Sequence, residues 1–532
     1  MSIFSKVQNT KVGSNIFDLT HDKKLSTKMG QLTPIMAMDC VPGDHVKIDP
    51  SVLVRFAPMI SPPMHRVSVY VHFFFVPNRI IWKNWENFIT GGEDGQDNSV
   101  PPYFELSTNS EGLGSLSDYM GIPVNNTAIE KWSALPFAAY QKVYNEYYRD
   151  QNLALKVEDE CQDGKQTGSK VVQLRALRKR AWQHDYFTSA LPWTQKGDEI
   201  LVPLGDQAPV VAHDPTIHDN TQNLKDMAGD PLDLALPYQK TSGTPTPGIH
   251  GNYQTGLPNF EDGSDITAYL DLEDSHYADL TQATQVSIIE LRRAFQLQEW
   301  LEKNARGGSR YIESNKVHFG VNSSDQRLQR PEFLGGISSP VKISEVLQTA
   351  PPTQASSGGT PAGNMSGHGI SIGSGGKVGK YCEEHGYIIG IMSIMPMTAY
   401  QQGIPRHLSR FDRYDYFWPT LQNIGEQAVL NKELYVDNDG NNDEVFGYTP
   451  RYAEYKYIQS SVHGDFRTSL DHWHMGRKFA TRPNLNQDFI EMDDQEVDRI
   501  FAVQDGSDNM WCHVLNKVSA RRKMAVYSSP RI

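Results

Sequence analysis

The chain has 532 residues, 38% hydrophobic and 21% charged, with 42 Gly, 31 Pro, 10% aromatics and a formal net charge of −13. That length exceeds one ordinary domain, and the Gly, Pro and aromatic content favours many short strands joined by long turns. The negative balance leaves no global basic footprint, so tight, general nucleic-acid binding is not implied.

Residues 1–44 are polar and irregular, with Phe4 and Phe17 as isolated apolar points, and read as an arm that packs on something else. The opening MSIFSKVQNTKVG has no apolar h-region, so no signal peptide is expected. VKIDPSVLVRF, between His45 and Pro58, alternates as a strand does. RVSVYVHFFFV, Arg66–Val76, is the strongest strand signal in the chain. The most apolar runs, Val67–Pro77 and Tyr387–Pro396, are of strand length and too short to span a membrane. After Pro77-Asn78, Trp82–Phe88 reads as a short helix ended by Gly91-Gly92.

Helical spacing then takes over. In Ser133–Arg149, Pro136 suits a first turn, and Tyr140, Val143, Tyr144 and Tyr147 share one face. Val171–Tyr186 sets Val171, Leu174, Leu177 and Ala181 on one side, with Arg175, Arg178, Lys179 and Arg180 elsewhere. Between Asp198 and Leu280 stand fifteen Asp/Glu against Lys225 and Lys240 and no Arg, so this stretch alone accounts for the −13. It is rich in Pro, Gly, Asn and Thr, lacks an apolar period, and reads as a solvated insertion on a neutral body. A third helix over Thr284–Asn304 aligns Ile288, Leu291, Phe295 and Leu301 and ends near Gly307-Gly308.

The β pattern returns beyond it. Gly335–Gly379, rich in Gly, Ser, Pro and Thr, reads as a long loop. Tyr387–Met395 reads as a buried strand. Leu430–Val436 and Glu444–Tyr448 flank a hairpin turn at Asp437-Asn438-Asp439-Gly440. Tyr452–Ile458 reads as a half-exposed strand and Met510–Val518 as the last one. Strands far apart in sequence must pair to bury their faces. Antiparallel double-sheet architectures meet that need, and the jelly roll is the common one. The division expected is an N-terminal arm over 1–44, a core of 45–130 and 310–532, and a helical excursion over 131–309 that carries the acidic insertion 198–280.

Candidate chemistry is sparse. Gly369-Ile370-Ser371-Ile372-Gly373 matches a nucleophile elbow in letters, but Ser374-Gly375-Gly376 cannot start the helix that elbow needs. Gly373–Lys380 fails a phosphate loop twice, at Ser374 and Tyr381. Asp437–Tyr448 starts like a calcium loop but puts Asn442 and Tyr448 where Gly and Glu belong. His472 and His474 have no third metal ligand at a recognisable spacing. Cys40, Cys161, Cys382 and Cys512 are far apart, so neither a disulfide framework nor a zinc site is indicated. No cofactor is indicated, and no metal ligands can be named. The signals left are basic: the Arg175–Arg180 cluster, and the acid-free tail from Asn509 to Ile532. That tail carries Lys517, Arg521, Arg522, Lys523 and Arg531, with Trp511 and Tyr527 as stacking surface. A groove that follows phosphates and stacks bases uses these residue types.

Several long segments resemble the major capsid protein of the gokushoviruses, small icosahedral single-stranded DNA phages of the microvirus family. They include Pro77–Gly92 (PNRIIWKNWENFITGG), Asp185–Trp193 (DYFTSALPW), Leu301–Gly308 (LEKNARGG) and Arg327–Gly336 (RLQRPEFLGG). Glu384–Gly390 (EHGYIIG), Ile424–Glu433 (IGEQAVLNKE) and Arg451–Lys456 (RYAEYK) extend the likeness. The resemblance implies an all-β core, an eight-stranded antiparallel jelly-roll sandwich with long loops and helical insertions. It implies copies joined in a T=1 shell around circular single-stranded DNA, assembled in the host cytoplasm. It also implies three-fold protrusions from the insertion region that meet a host receptor, and a small basic DNA-binding virion protein as a further partner. In the family the C-terminus more often reads Arg-Pro-Met-Pro before Val-Tyr-Ser; here Arg522-Lys523-Met524-Ala525 stands instead. The reading is therefore a structural coat protein and not an enzyme. The alternatives are a carbohydrate-binding adhesin, or a hydrolase on a jelly-roll scaffold using Ser371 or an acidic pair.

Overall fold

The computed structural model describes residues 13–105, 112–124, 131–198, 200, 288–308, 310–349 and 363–527, with the backbone of four short strands between 210 and 278. The chain folds as two compact units, residues 1–196 with 302–532 and residues 197–301.

The larger unit is built on antiparallel sheets. In chain order its main strands are β1 (Asn15–Asp18), β2 (His21–Thr27), β3 (Thr33–Cys40), β4 (His45–Phe56), β5 (Val67–Pro77), β6 (Glu332–Pro340), β7 (Lys342–Leu347), β8 (Met365–Ser374), β9 (Val378–Tyr381), β10 (Gly386–Pro396) and β11 (Met510–Arg522). A seven-stranded sheet runs β1-β11-β4-β8-β7, with β2 also on β11 and β9 also on β4. A four-stranded sheet runs β6-β5-β10-β3. The two do not close into a barrel. Their facing sides share one core, as in a β sandwich: Val46, Ile48, Val52 and Val54 of β4 and Val514 and Val518 of β11 join Val69, Val71 and Phe73 of β5 and Ile388 and Met392 of β10.

The two central strands of the four-stranded sheet, β5 and β10, pack against a core on each face. Along β5, Phe73 and Phe75 enter the first core, whereas Phe74 and Val76 enter a second; along β10, Ile388 and Ile389 divide the same way. The second core is capped by helix α1 (Leu135–Val143) and its π-helical continuation Tyr144–Tyr148. Tyr140 fixes that layer: its hydroxyl donates to the Leu32 carbonyl at 2.8 Å and accepts from the Arg178 backbone N–H at 3.1 Å.

Several expectations change. Residues 15–40, read as irregular, form three strands. β1 and β2 pair with the two ends of β11, and β3 pairs with β10. In β1 and β2 the backbone groups are satisfied by β11, far along the chain, so a polar sequence suffices, whereas β3 buries Ile35, Met36 and Cys40 in the core. The Gly- and Ser-rich stretch after 335 holds parts of β6 and β9 and all of β7 and β8. Glycine there serves close packing: a Cβ at Gly369 would sit 2.9 Å from the Phe56 ring, and one at Gly373 would sit 2.8 Å from Ser339 Oγ. The helix expected over Val171–Tyr186 is confined to α2 (Ser169–Arg175), and extended backbone begins at Ala176. Tyr452–Ile458 is not a strand. Tyr452 lies at φ +61° and a 3₁₀ turn follows over Ala453–Tyr455. In the hairpin region the strands are Glu426–Leu430 and Val445–Pro450, and a short helix, Asn431–Leu434, occupies residues read as strand.

In the smaller unit, Val210–Ala212 pairs with His276–Ala278 and Leu224–Lys225 with Tyr269–Leu270, all antiparallel. Most of the acidic insertion lies outside the described residues. Helix α3, Ile288–Gly307, follows it, and α4, Tyr311–Phe319, comes next without having been expected.

Candidate nucleic-acid interface

The basic tail is mostly strand. Along β11, Met510, Cys512, Val514, Val518 and Ala520 enter the core, so Trp511, His513, Leu515, Lys517, Ser519 and Arg521 take the opposite face. Lys517 and Arg521 are exposed there, four residues apart, a separation of roughly 13 Å along a strand. Arg521 Nε donates to Ser14 Oγ at 2.9 Å.

Cross-strand register extends this face beyond the tail. On β4, Asp49 opposes Lys517, Lys47 opposes Ser519, His45 opposes Arg521 and Arg55 opposes Trp511. On β2, Lys24 opposes His513. Tyr381 of β9 opposes His45, with the two rings 4.5 Å apart. The face therefore gathers Lys24, Lys47, Arg55, Lys517 and Arg521, with Trp511 and Tyr381 as half-exposed rings. It is not uniformly positive: Asp49 lies among them, and Asp22 sits 3.7 Å from Lys24 Nζ and 3.3 Å from His513 Nε2. Such a surface offers separate ammonium and guanidinium groups to phosphates and flat rings to bases.

The other tail residues are placed differently. Arg522 turns away from that face. Its Nε is 3.2 Å from Asp44 Oδ2, and its terminal nitrogen donates to the Asp39 carbonyl at 2.8 Å. Lys523 follows the strand, with its aliphatic end packed where a side chain at Gly43 would stand. Arg531 lies outside the described residues. The structure thus brings together Lys517 and Arg521, and adds Lys24, Lys47 and Arg55, which the sequence reading missed. The alternation of His45–Phe56 was the available signal, since it sends the odd-numbered residues of β4 outward.

The Arg175–Arg180 cluster is spent on packing. Arg178 Nε donates to Gln141 Oε1 at 2.8 Å, and its guanidinium lies 5.4 Å from the Tyr144 ring. Lys179 pairs with Asp493 at 3.0 Å. Arg180 donates to Ser393 Oγ at 2.7 Å and stacks 4.3 Å over Tyr70.

The remaining motifs resolve into structure. Ser371 lies within β8, not at a strand-to-helix elbow; its buried Oγ donates to the Pro340 carbonyl at 3.0 Å. His474 uses both ring nitrogens, one against the Phe466 carbonyl at 2.7 Å and the other accepting from the Gly476 N–H at 2.9 Å. The Asp439 carboxylate is gripped by both terminal nitrogens of Arg482 at 2.5 and 2.7 Å, as a turn anchor. Among the described residues, no three His, Cys, Asp or Glu side chains converge as metal ligands, and no helix is long and apolar enough to cross a membrane. All four cysteines are buried free thiols.

Residues 5–532 match the family model described as capsid protein (F protein). The capsid protein VP1 of Chlamydia phage 1 is 35% identical, over 99% of this chain and 97% of its own length. VP1 of Bdellovibrio phage phiMH2K is 36% identical, over 92% of this chain and 90% of its own. VP1 of Spiroplasma virus 4 is 32% identical, over 99% and 97%.

Proposed function

Because the chain belongs to the capsid protein (F protein) family and is a gokushovirus-type coat protein of a bacteriophage virion, we propose that it self-assembles into a T=1 icosahedral shell around circular single-stranded DNA. The observation that carries this reading is the family match over residues 5–532, nearly the whole chain. The role is structural. The two packed sheets are taken to be wired as an eight-stranded jelly roll, with β1, β2 and β7 as additions at its margins. Assembly is assigned to the host cytoplasm.

Electrostatics orients the subunit in this proposal. The 198–280 stretch carries the whole net charge of −13 and is repelled by packaged phosphates, so it is assigned to the outside, as a protrusion that meets a host receptor. The outer face of the seven-stranded sheet is assigned to the DNA side, through Lys24, Lys47, Arg55, Lys517 and Arg521. Arg522 and Lys523 support the end of β11, and Arg531 extends the basic tail. A small basic virion protein is the expected helper in condensing the genome, since five cations per subunit interspersed with Asp22 and Asp49 neutralise only part of it.

Negative-stain microscopy of the expressed full chain tests the reading. Uniform small closed shells are expected. Dispersed monomers that hydrolyse ester or glycoside substrates would reverse it in favour of the hydrolase alternative.

A further inference from the structure

Outside both sheets, a stretch of irregular chain carries an unusual density of exposed rings. Phe411 is 89% exposed, Tyr414 55%, Tyr416 52%, Phe417 45%, Trp418 49% and, from a neighbouring turn, Tyr455 47%. At about 200 Å² per aromatic side chain these six present roughly 700 Å². Taken together, that approaches one partner's share of a standard interface, about 800 Å².

The patch is preformed. The Asp415 carboxylate accepts from the backbone N–H groups of Phe411 and Asp412, both at 3.0 Å. Trp418 Nε1 donates to the Arg413 carbonyl at 2.9 Å, and the Phe417 N–H donates to the Tyr455 hydroxyl at 3.1 Å. The Phe417 ring lies 5.0 Å from the Tyr452 ring and 5.9 Å from that of Tyr455. Arg410 stacks 4.1 Å over Tyr455 while pairing with Glu454 at 3.2 Å. Rings are therefore held in place before any partner arrives, which lowers the entropic cost of docking.

We infer that the Phe411–Trp418 segment with Tyr455 is a docking surface for a second copy of this chain. The inference rests on the coat reading, because a shell is closed by contacts between copies. Three features select that occupant over nucleic acid. The patch has the area of a protein interface. Its Phe, Tyr, Trp and Arg composition is that of an interface core. Its Arg410 is paired with Glu454, and its Arg413 stands between Asp412 and Asp415, so the segment offers phosphates no net positive charge.

The test compares full-length wild type with Phe411→Ser/Trp418→Ser and, separately, with Tyr414→Arg, which adds bulk and charge at an exposed position at the cost of the Arg413 contact over its ring, 5.1 Å away. Sedimentation velocity across a concentration series reads self-association directly, whether or not shells close; thermal unfolding verifies that each variant is folded. Both variants are expected to remain folded and to associate at least tenfold more weakly. Should the double variant fail to fold, Tyr414→Arg decides alone. Association equal to wild type, or a wild type that stays monomeric at every concentration, would overturn the docking surface. Wild-type oligomers that lose association in the variants but never form closed particles would defeat the shell while leaving this surface standing.

Discussion

The guanidinium of Arg522, at the end of β11, reaches across to Asp44, a fully buried carboxylate just before β4, with Nε 3.2 Å from Oδ2. Asp44 also accepts from the Val41 N–H at 3.2 Å, so the pair locks the β3–β4 turn to the last strand. Removing one partner leaves the other charge buried and uncompensated. Arg522→Met is expected to lower stability by about 3 kcal/mol, read by chemical denaturation. Arg521→Met, on the exposed face, is expected to cost less than about 0.5 kcal/mol.

Of the two positions, only Arg521 lies on the proposed DNA face. Lys517→Gln with Arg521→Gln removes two proposed phosphate contacts, so the slope of log K against log salt for a single-stranded oligonucleotide should become shallower by about 1.4. Fluorescence anisotropy over a salt series measures this. An unchanged slope would move the DNA site away from the sheet face.

Stability should fall in mild acid. Burial pushes His65 and His72 each from the ordinary 6.5 down to about 4, with nearby Arg180 adding to the effect at His72. Both rings are therefore neutral in the fold and easier to protonate in the unfolded chain. Their contribution is complete above pH 6.5 and is lost as pH falls from there toward 4. Together they are worth on the order of a few kcal/mol. Denaturation midpoints at pH 7 and pH 5 should differ accordingly, and replacing His72 with Gln should shrink the difference.

Gly369 belongs to the Gly-x-Ser-x-Gly letters, but its role is steric. Gly369→Ala drives a methyl against the Phe56 ring at 2.9 Å and should cost about 1–3 kcal/mol by thermal or chemical unfolding. Ser371→Ala should leave any trace esterase signal of the preparation unchanged.

Deleting residues 205–262, inside the smaller unit, should leave the unfolding transition of the larger unit in place and still permit particles. Adsorption to host cells should fall. Calorimetry, microscopy and an adsorption assay read the three outcomes, and loss of the main transition would show that the insertion is part of the fold.

Legibility in the sequence tracked burial. β5 and β10 were visible because both of their faces are covered, which makes the apolar run nearly continuous. β1 and β2 were not, because a marginal strand held by the backbone of β11 can be as polar as HDKKLST. β8 was hidden by glycines that make room for Phe56 and Ser339. The excess helix after Arg175 arose from Leu177 and Ala181, which continue the helical spacing of Val171 and Leu174 into backbone that is extended from Ala176. Tyr70, Tyr144 and Gln141 receive Arg178 and Arg180 along that backbone. The candidate site was half legible. An acid-free tail pointed to Lys517 and Arg521, but Lys24, Lys47 and Arg55 join them only through strand pairing, and no local pattern announces a neighbour hundreds of residues away.

β11 has β4 along one side and β1 and β2 along the other. The order of synthesis therefore matters. The first fifty-odd residues leave the ribosome with their polar edges unmet, and the sheet cannot be completed until residue 522 has been made. A nascent chain thus lacks its completed seven-stranded sheet until synthesis is almost finished. Truncation just before residue 510 removes the common neighbour of three strands, so a fragment lacking only the last few per cent of its length should be bound by chaperones or degraded instead of entering particles.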